Sequence, residues 1–200
     1  WNIDNSKVIN ELSNIEQSLY VLNKRETEIN SIIKDEFPEL VLKCYLPKTL
    51  YEILIIRNYI LSMSYDEIKL FMKVALIATL RDVSIAATGW PYIAPKKIKI
   101  TSLSKEGFKT YYAKCQSMLS DLEEIETQSE NKQSQHNIIL GDSRHTLNYI
   151  ENECVDHIFT SPPYLNNFDY ADRTRLEMYV MGEAKSWKDI TSFVTEVKSA

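Results

Sequence analysis

Two short apolar runs, separated by a segment with helical spacing, constrain the fold of this chain more than any other feature. Residues 137–140 and 155–160 each have the length and composition of a buried strand. Two buried strands joined by a helical crossover form a βαβ unit, which predicts a parallel sheet. The first strand leads into a tight Gly141-Asp142 exit, and the second leads directly into Ser-Pro-Pro-Tyr at 161–164. Because open parallel sheets bind ligands at the carboxyl ends of their strands, both ends are candidate sites.

The Ser-Pro-Pro-Tyr turn has the chemistry to bind a planar molecule that carries an amino group. Pro162 and Pro163 each fix the backbone and remove an N–H, which leaves rigid carbonyl acceptors without local donors. Ser161 adds a hydroxyl and Tyr164 adds a flat aromatic face. The two amine protons could then go to the Ser161 hydroxyl and the Pro162 carbonyl. The alternative is a proline-stiffened loop with a surface tyrosine.

The residues around this turn resemble those of the amino-methyltransferases that act on DNA. In that family, Asp, Asn or Ser followed by Pro-Pro and Tyr or Phe is the catalytic motif. The serine form is most often seen in enzymes that methylate N4 of cytosine, and the other two forms in enzymes that methylate N6 of adenine. Residues 137–182 carry the resemblance, and residues 46–99 are similar to the helical insert of one branch of bacterial site-specific DNA methylases. The matching residues are Gly141, Asp142, Ser143, Thr160, Asn167, Phe168, Asp169, Tyr170, Arg173, Arg175, Leu176 and Glu177.

The resemblance implies methyl transfer from S-adenosylmethionine to the exocyclic amine of a base flipped out of double-stranded DNA. No covalent enzyme intermediate is needed, because the protein orients the amine and the methyl group transfers directly. The resemblance also implies a role in restriction-modification or host defence. The implied catalytic residues are Ser161, Pro162, Pro163 and Tyr164, and the implied cofactor-binding residues are Asp142 and Thr160. Asp142 could instead cap the helix that follows it, and the two roles are compatible.

The glycines depart from the pattern of this family, which holds the methionine end of the cofactor with a Gly-rich loop. No two glycines stand close enough to form such a loop; the four are Gly89, Gly107, Gly141 and Gly182. We therefore expect the loop to lie before Trp1 or after Ala200, so that these residues are an excerpt of a longer protein. Residues 1–200 alone should bind the cofactor weakly and should be inactive in isolation.

The chain divides into two parts at a polar segment without periodicity, residues 128–135, which is typical of a linker. Residues 1–130 predict a mainly helical subdomain. Residues 131–200 predict part of a catalytic domain that carries the Thr-Ser-Pro-Pro-Tyr motif. The predicted fold class is therefore α/β, a partial Rossmann-like methyltransferase sheet preceded by helices.

The helical part begins with an amphipathic helix predicted to run from near Asn5 to just before Phe37. Its narrow apolar seam favours packing against another helix, in this chain, in a second subunit or in the rest of the protein. Further helices are predicted from Pro47, from the capping-box pattern Ser64-Tyr65-Asp66-Glu67, after Ser104, from Tyr170 to Gly182 and from Trp187. The seam consists of Val8, Leu12, Ile15, Leu19 and Leu22, and it continues through Ile29 and Ile32 or Ile33.

Charge is distributed unevenly, which matters for DNA binding. The net charge is −5, unusual for a protein that binds a polyanion, but residues 94–114 contain six lysines and one acid. This basic window is either a DNA contact or a solvated face. The arginines after the turn could contact phosphates or pair with Asp172 or Glu177. The candidate DNA-binding residues are Lys96, Lys97, Lys99, Arg173 and Arg175.

The three cysteines, Cys44, Cys115 and Cys154, are widely spaced and lack a Cys-x-x-Cys pattern. This spacing predicts neither disulfides nor a metal site, and it favours the reducing cytoplasm. No nucleophilic cysteine is indicated, because none follows a proline as in enzymes that methylate C5 of cytosine. No apolar stretch approaches the length of a membrane span.

Three alternatives to a cytosine methyltransferase remain open. Adenine could be the target of the same chemistry. The chain could be a degenerate methyltransferase-like subunit that binds nucleic acid or supports a catalytic partner, as the missing Gly-rich loop and the acidic balance suggest. It could also methylate RNA or a protein glutamine, although the latter is usually associated with Asn where this chain has Ser161.

Overall fold

The computed structural model of the protein describes residues 3–64, 66–88, 93–98, 100–128, 137–139, 150–160 and 170–193. Most of the regular structure in these ranges is helical. The helices are α1 (Asn5–Val21), α2 (Glu26–Glu36), α3 (Glu39–Cys44), α4 (Pro47–Ser62), α5 (Glu67–Val83), α6 (Gly107–Gln128), α7 (Tyr170–Met181) and α8 (Trp187–Phe193). The strands β1 (Ala86–Thr88) and β2 (Ile93–Ile98) pair antiparallel, and a 3₁₀ turn covers Ile100–Ser102.

The core is centred on α4, which packs against α1, α2, α5 and α6. Its side chains Ile53, Ile56 and Ile60 are fully buried. Burial of each such side chain contributes about 2 kcal/mol relative to exposure. The prediction that α4 and α5 are helices with apolar residues around much of their circumference is confirmed, whereas the helical subdomain as a unit stays a prediction.

The helix starts follow local sequence signals. Pro47 occupies the first turn of α4, where its missing N–H costs nothing. Asp66 caps α5 by accepting a hydrogen bond from the Lys69 N–H at 2.8 Å. The predictions of helices at these two positions are therefore confirmed, although the cap of α5 is Asp66 itself rather than Ser64.

The prediction of one long helix up to Phe37 is wrong. α1 ends at Val21 and α2 begins at Glu26, and the Glu28 carboxylate accepts a hydrogen bond from the Arg25 N–H at 3.1 Å. The first N–H groups of a helix have no partner within that helix, and the Glu28 carboxylate accepts a hydrogen bond from one such group. A new helix can therefore start here, after a break in the polar residues that follow α1. The apolar seam of α1 lies in the core of this chain, where Val8, Leu12 and Ile15 are buried.

The predicted α/β fold class, with a parallel Rossmann-like sheet, is also wrong for the described residues. The only sheet they contain is the antiparallel pair β1–β2. Residues 137–139 and 155–160 are described and are not strands. Ile158 is 85% exposed and Phe159 is fully exposed. A strand needs a neighbour that accepts its backbone hydrogen bonds, and no described segment pairs with either run.

The C-terminal helices pack on the core formed by the earlier ones. α7 contacts α3 and α8, and buries Leu176 and Val180 in the shared core. The predicted end of α7 is confirmed at Gly182, whose φ of 78° is accessible to glycine at little cost. The predicted linker at 128–135 falls almost wholly outside the described residues, so the domain division stays a prediction.

Candidate functional site

The Ser-Pro-Pro-Tyr turn lies outside the described residues, as do Asp142 and Lys99. Thr160, which directly precedes the turn, is exposed and has no regular secondary structure. α7 begins at Tyr170, six residues after Tyr164. The contacts of α7 are therefore the nearest described features beyond the turn.

Arg81 of α5 binds α7 at two positions. Its Nε lies 2.6 Å from Oε1 of Glu177, and its Nη2 donates to the backbone carbonyl of Arg173 at 3.1 Å. The Glu177 side chain is only 12% exposed, whereas the Arg81 side chain is 41% exposed. The carboxylate therefore depends on the arginine for its charge compensation.

Arg57 of α4 binds the other end of the same helix. This residue is only 6% exposed. Its Nη1 donates to the Val180 carbonyl at 3.0 Å, and its Nη2 donates to Glu36 Oε1 at 2.6 Å and to Asn58 Oδ1 at 2.9 Å. The guanidinium also lies over the Phe37 ring, 5.4 Å from its centre. A cation at the last carbonyls of a helix also complements the helix dipole.

Arg173 and Arg175, the predicted phosphate contacts, both lie on α7. Arg175 Nε is 3.1 Å from Asp172 Oδ1, which is close enough for an ion pair but not aligned as a hydrogen bond. The Arg175 guanidinium also lies 5.5 Å from the centre of the Trp187 ring. The structure therefore pairs Arg175 with Asp172, which the sequence analysis gave as the alternative to a phosphate contact. A phosphate role for either arginine stays a prediction.

A buried thiol and a buried phenol lie beside these charges. Burial raises the pKa of the Cys44 thiol to about 11, and the Arg175 charge opposes this shift. Burial also raises the pKa of Tyr45 well above its ordinary value, with a smaller contribution from Glu177 that Arg81 opposes. Both groups stay protonated near neutral pH, so neither is a nucleophile or a base there.

Thiol labelling should therefore separate the three cysteines. Cys44 and Cys115 are buried and their pKa values are raised by burial, to about 11 and about 12, whereas Cys154 is exposed. We expect a disulfide reagent at pH 8 to label one thiol per folded chain within minutes and all three in denaturant. A Cys154→Ser variant should show no rapid labelling. Rapid reaction of two thiols in the folded wild type would contradict this arrangement.

A cavity of about 1030 Å³ lies where α1, α2, α4 and α6 meet. Glu52, in its wall, accepts a hydrogen bond from the Phe108 N–H at 3.1 Å and so serves the start of α6. Because carboxylates outnumber ammonium groups around it, the cavity does not favour a polyanion. The lining includes the acids Glu16, Glu26, Glu52 and Glu106, the lysines Lys24, Lys48 and Lys109, and the rings of Tyr20, Tyr51, Phe108 and Tyr112.

The basic window is divided between several elements. Lys96 and Lys97 belong to β2. On α6, Lys109 lines the cavity, and Lys114 forms an ion pair with Asp82 at 3.2 Å. Lys114 therefore has an acidic partner, and DNA contact by Lys96, Lys97 and Lys99 stays a prediction.

Known proteins provide no family assignment for this chain. No family model, no curated protein and no solved structure matches the chain. A function can therefore be inferred only from the residues of this chain.

The two glycines that the structure describes, Gly107 and Gly182, do not form a Gly-rich loop. A Cβ on Gly107 would lie 3.0 Å from the Thr49 carbonyl oxygen, so this glycine allows close packing of α6 on α4. Gly182 ends α7, as described above. Both glycines therefore have structural roles, and binding of S-adenosylmethionine stays a prediction.

The described ranges contain neither a candidate metal site nor a candidate membrane span. Those ranges contain no group of three or more His, Cys, Asp or Glu side chains that could hold a metal ion. No helix within them is both long and apolar enough to span a bilayer. Both findings are compatible with the predicted lack of metal and membrane partners.

Arg57 and Arg81 were not recognised from the sequence as the residues that anchor α7. Arg57 stands on the apolar face of α4, four residues after Ile53. A buried arginine must be paired, so its position on this face signals a partner elsewhere in the chain. The identity of that partner, 123 residues away, has no local signal.

Proposed function

We propose that this protein is an S-adenosylmethionine-dependent DNA methyltransferase that modifies the exocyclic amine of a flipped base. Cytosine N4 is favoured over adenine N6 because the turn begins with Ser161. The observation that carries the proposal is the Thr-Ser-Pro-Pro-Tyr motif followed by α7. A role in restriction-modification or defence is consistent with the resemblance.

The turn would act by orienting the amine. The lone pair of an exocyclic amine is delocalised into the base ring, so the amine is a poor nucleophile. Acceptance of its two protons by the Ser161 hydroxyl and the Pro162 carbonyl favours pyramidalisation and directs the lone pair outward. Pro163 keeps the acceptors rigid, and Tyr164 stacks on the ring.

The substrate would be double-stranded DNA from which one base is extruded. Within a duplex the target amine is paired and cannot enter such a turn, so flipping must precede methylation. Cofactor binding is proposed for Asp142 and Thr160, the two residues that the resemblance implies. Thr160 is exposed, and Asp142 lies outside the described residues.

A second candidate function is a methyltransferase-like subunit that binds nucleic acid or supports a catalytic partner without catalysing transfer. The lack of a Gly-rich loop in residues 1–200 and the net charge of −5 favour it. This candidate predicts DNA binding or partner binding without methyl transfer.

Mass analysis of nucleosides separates these candidates. The full-length protein is incubated with S-adenosylmethionine carrying a heavy methyl group and with genomic DNA from an unmethylated host. We expect heavy N4-methylcytosine, with N6-methyladenine as the alternative product of the same chemistry. DNA binding without any heavy nucleoside would support the non-catalytic subunit and would contradict the enzyme. RNA and a glutamine-containing peptide serve as parallel substrates.

A further inference from the structure

We propose that the cavity between α1, α2, α4 and α6 is a binding site for an organic ammonium ion with an aromatic body. The cavity volume of about 1030 Å³ lies at the upper end of the range for drug-sized ligands, which is roughly 300–1,000 Å³. A metal ion or a small inorganic anion would leave most of this space empty. None of the predicted catalytic, cofactor-binding or DNA-binding residues is among the described residues that line the cavity, so ligand binding here does not depend on methyl transfer.

Aromatic rings from three helices form part of the cavity wall. Tyr20 comes from α1, Tyr51 from α4, and Phe108 and Tyr112 from α6. The centres of the Phe108 and Tyr112 rings are 6.1 Å apart, and the rings are tilted by 60°. The Tyr51 hydroxyl donates to the Leu22 carbonyl at 2.8 Å, which holds this ring against the end of α1. Aromatic rings of this kind bind both planar groups and cations through their faces.

Glu52 sets the sign of the charge at the inner part of the wall. Its side chain is half-buried, and its Oε2 accepts a hydrogen bond from the Phe108 N–H at 3.1 Å. Within the described part of the chain, no group donates to its other oxygen, Oε1. An ammonium group is a strong donor to such an oxygen, because both partners are charged. Burial raises the pKa of the Tyr51 phenol, and the negative charge of Glu28 raises it further, so this wall lies in a negative field.

The lysines of the lining do not reverse this sign. Lys24, Lys48 and Lys109 are all exposed, as are the other three glutamates that line the cavity. Exposed charges are screened by salt, and a long lysine side chain can keep its ammonium group in water. Glu52 is the one half-buried charged residue among the described lining residues. Its carboxylate therefore has the largest effect on a bound ligand, since electrostatic interactions strengthen as water is excluded.

The test compares three indole probes of similar shape and different charge. Tryptamine is a cation, tryptophol is neutral and indole-3-propionate is an anion at neutral pH. Each is titrated into the full chain and followed through the backbone amide NMR signals of the protein. We expect tryptamine to bind with a Kd of about 1 mM or lower, about tenfold tighter than tryptophol, and the anion to bind more weakly still. Equal affinities, tighter binding of the anion, or no binding of tryptamine up to about 10 mM would overturn the proposal.

A substitution of Glu52 identifies the carboxylate that binds the ammonium group. Glu52→Gln keeps the shape of the side chain and an acceptor for the Phe108 N–H, but it removes the charge. The Kd of tryptamine should rise about tenfold, while the Kd of tryptophol stays within about twofold. The matched control is Glu16→Gln, which removes an exposed carboxylate of the same lining and should change the Kd of tryptamine by less than about twofold. Equal weakening by the two substitutions would contradict the role of Glu52.

A second variant tests the aromatic wall without changing any charge. Tyr112→Leu removes one ring and keeps an apolar side chain at a half-buried position. It should raise the Kd of tryptamine about threefold, with a thermal midpoint close to that of the wild type. An unchanged Kd would show that this ring does not contact the ligand and would contradict the aromatic part of the site. If the wild type binds tryptamine as expected but methylates no DNA, the cavity site stands and the proposed function fails.

Discussion

Replacement of Arg57 by leucine is expected to lower the free energy of unfolding by about 3 kcal/mol. Leucine suits the apolar surroundings of α4, but it leaves the Val180 carbonyl and Asn58 without their donor. Glu36 loses its charge partner as well, although its side chain is 43% exposed and can turn towards water. The largest part of the cost should therefore come from the buried Val180 carbonyl and from lost packing.

Urea unfolding measures this effect, with a lower midpoint and an unchanged slope. The matched control is Lys73→Leu, which removes a cation that also binds the C-terminal end of the α7 region. Because Lys73 and Glu183 are both substantially exposed, this change should cost only about 0.5 kcal/mol. Equal costs for the two substitutions would mean that Arg57 does not anchor α7. Arg57→Lys should fall between them, because an ammonium can satisfy some but not all of these acceptors.

The helices could be predicted from the sequence because their signals are local. Pro47 at the first turn of α4, the Asp66 cap of α5 and the Gly182 end of α7 each act within a few residues. The break between α1 and α2 was missed because the apolar spacing continues across it. The hydrogen bond from the Arg25 N–H to the Glu28 carboxylate is compatible with that break. A glutamate such as Glu28 is also common inside helices, so it does not predict a helix start.

The strands could not be predicted reliably because a strand is defined by its neighbour. The apolar run at 155–160 has the composition of a buried strand, yet Val155, Ile158 and Phe159 are exposed here. The composition of a segment indicates only which side chains it would bury if a neighbouring strand were present. Among the described residues, the one pairing that forms is β1 with β2, which are close in sequence.

The anchoring of α7 illustrates the same limit for side chains. The sequence suggested that Arg175 could pair with Asp172, which is three residues away, and the structure has that ion pair. It gave no indication that Glu177 would pair with Arg81, because this contact depends on how α5 and α7 pack. Local pairs follow from helix geometry, whereas long-range pairs follow only from the tertiary fold.

Methyl transfer should fall by at least about 10³-fold when Ser161→Gly and Tyr164→Ala are combined. The serine change removes one of the two acceptors proposed to orient the amine, and loss of one preorganised group of this kind typically costs about 10²-fold or more. The tyrosine change removes a stacking surface worth about 1 to 3 kcal/mol per base. Because both groups act on the same base, the combined loss need not equal the product of the single losses.

Single-turnover transfer of a radioactive methyl group to DNA measures this loss in the full-length protein. The control is Ser104→Gly with Tyr20→Ala, which makes the same two changes at exposed positions of the helical part. That variant should transfer methyl groups at the wild-type rate. Unchanged transfer by the Ser161→Gly, Tyr164→Ala variant would remove the turn as the catalytic site, whatever product the wild type forms. The variant could instead bind DNA more weakly and still transfer methyl groups at the wild-type rate on saturating DNA. That result would show that the turn only binds DNA, because orientation of the amine must affect the rate of the transfer step.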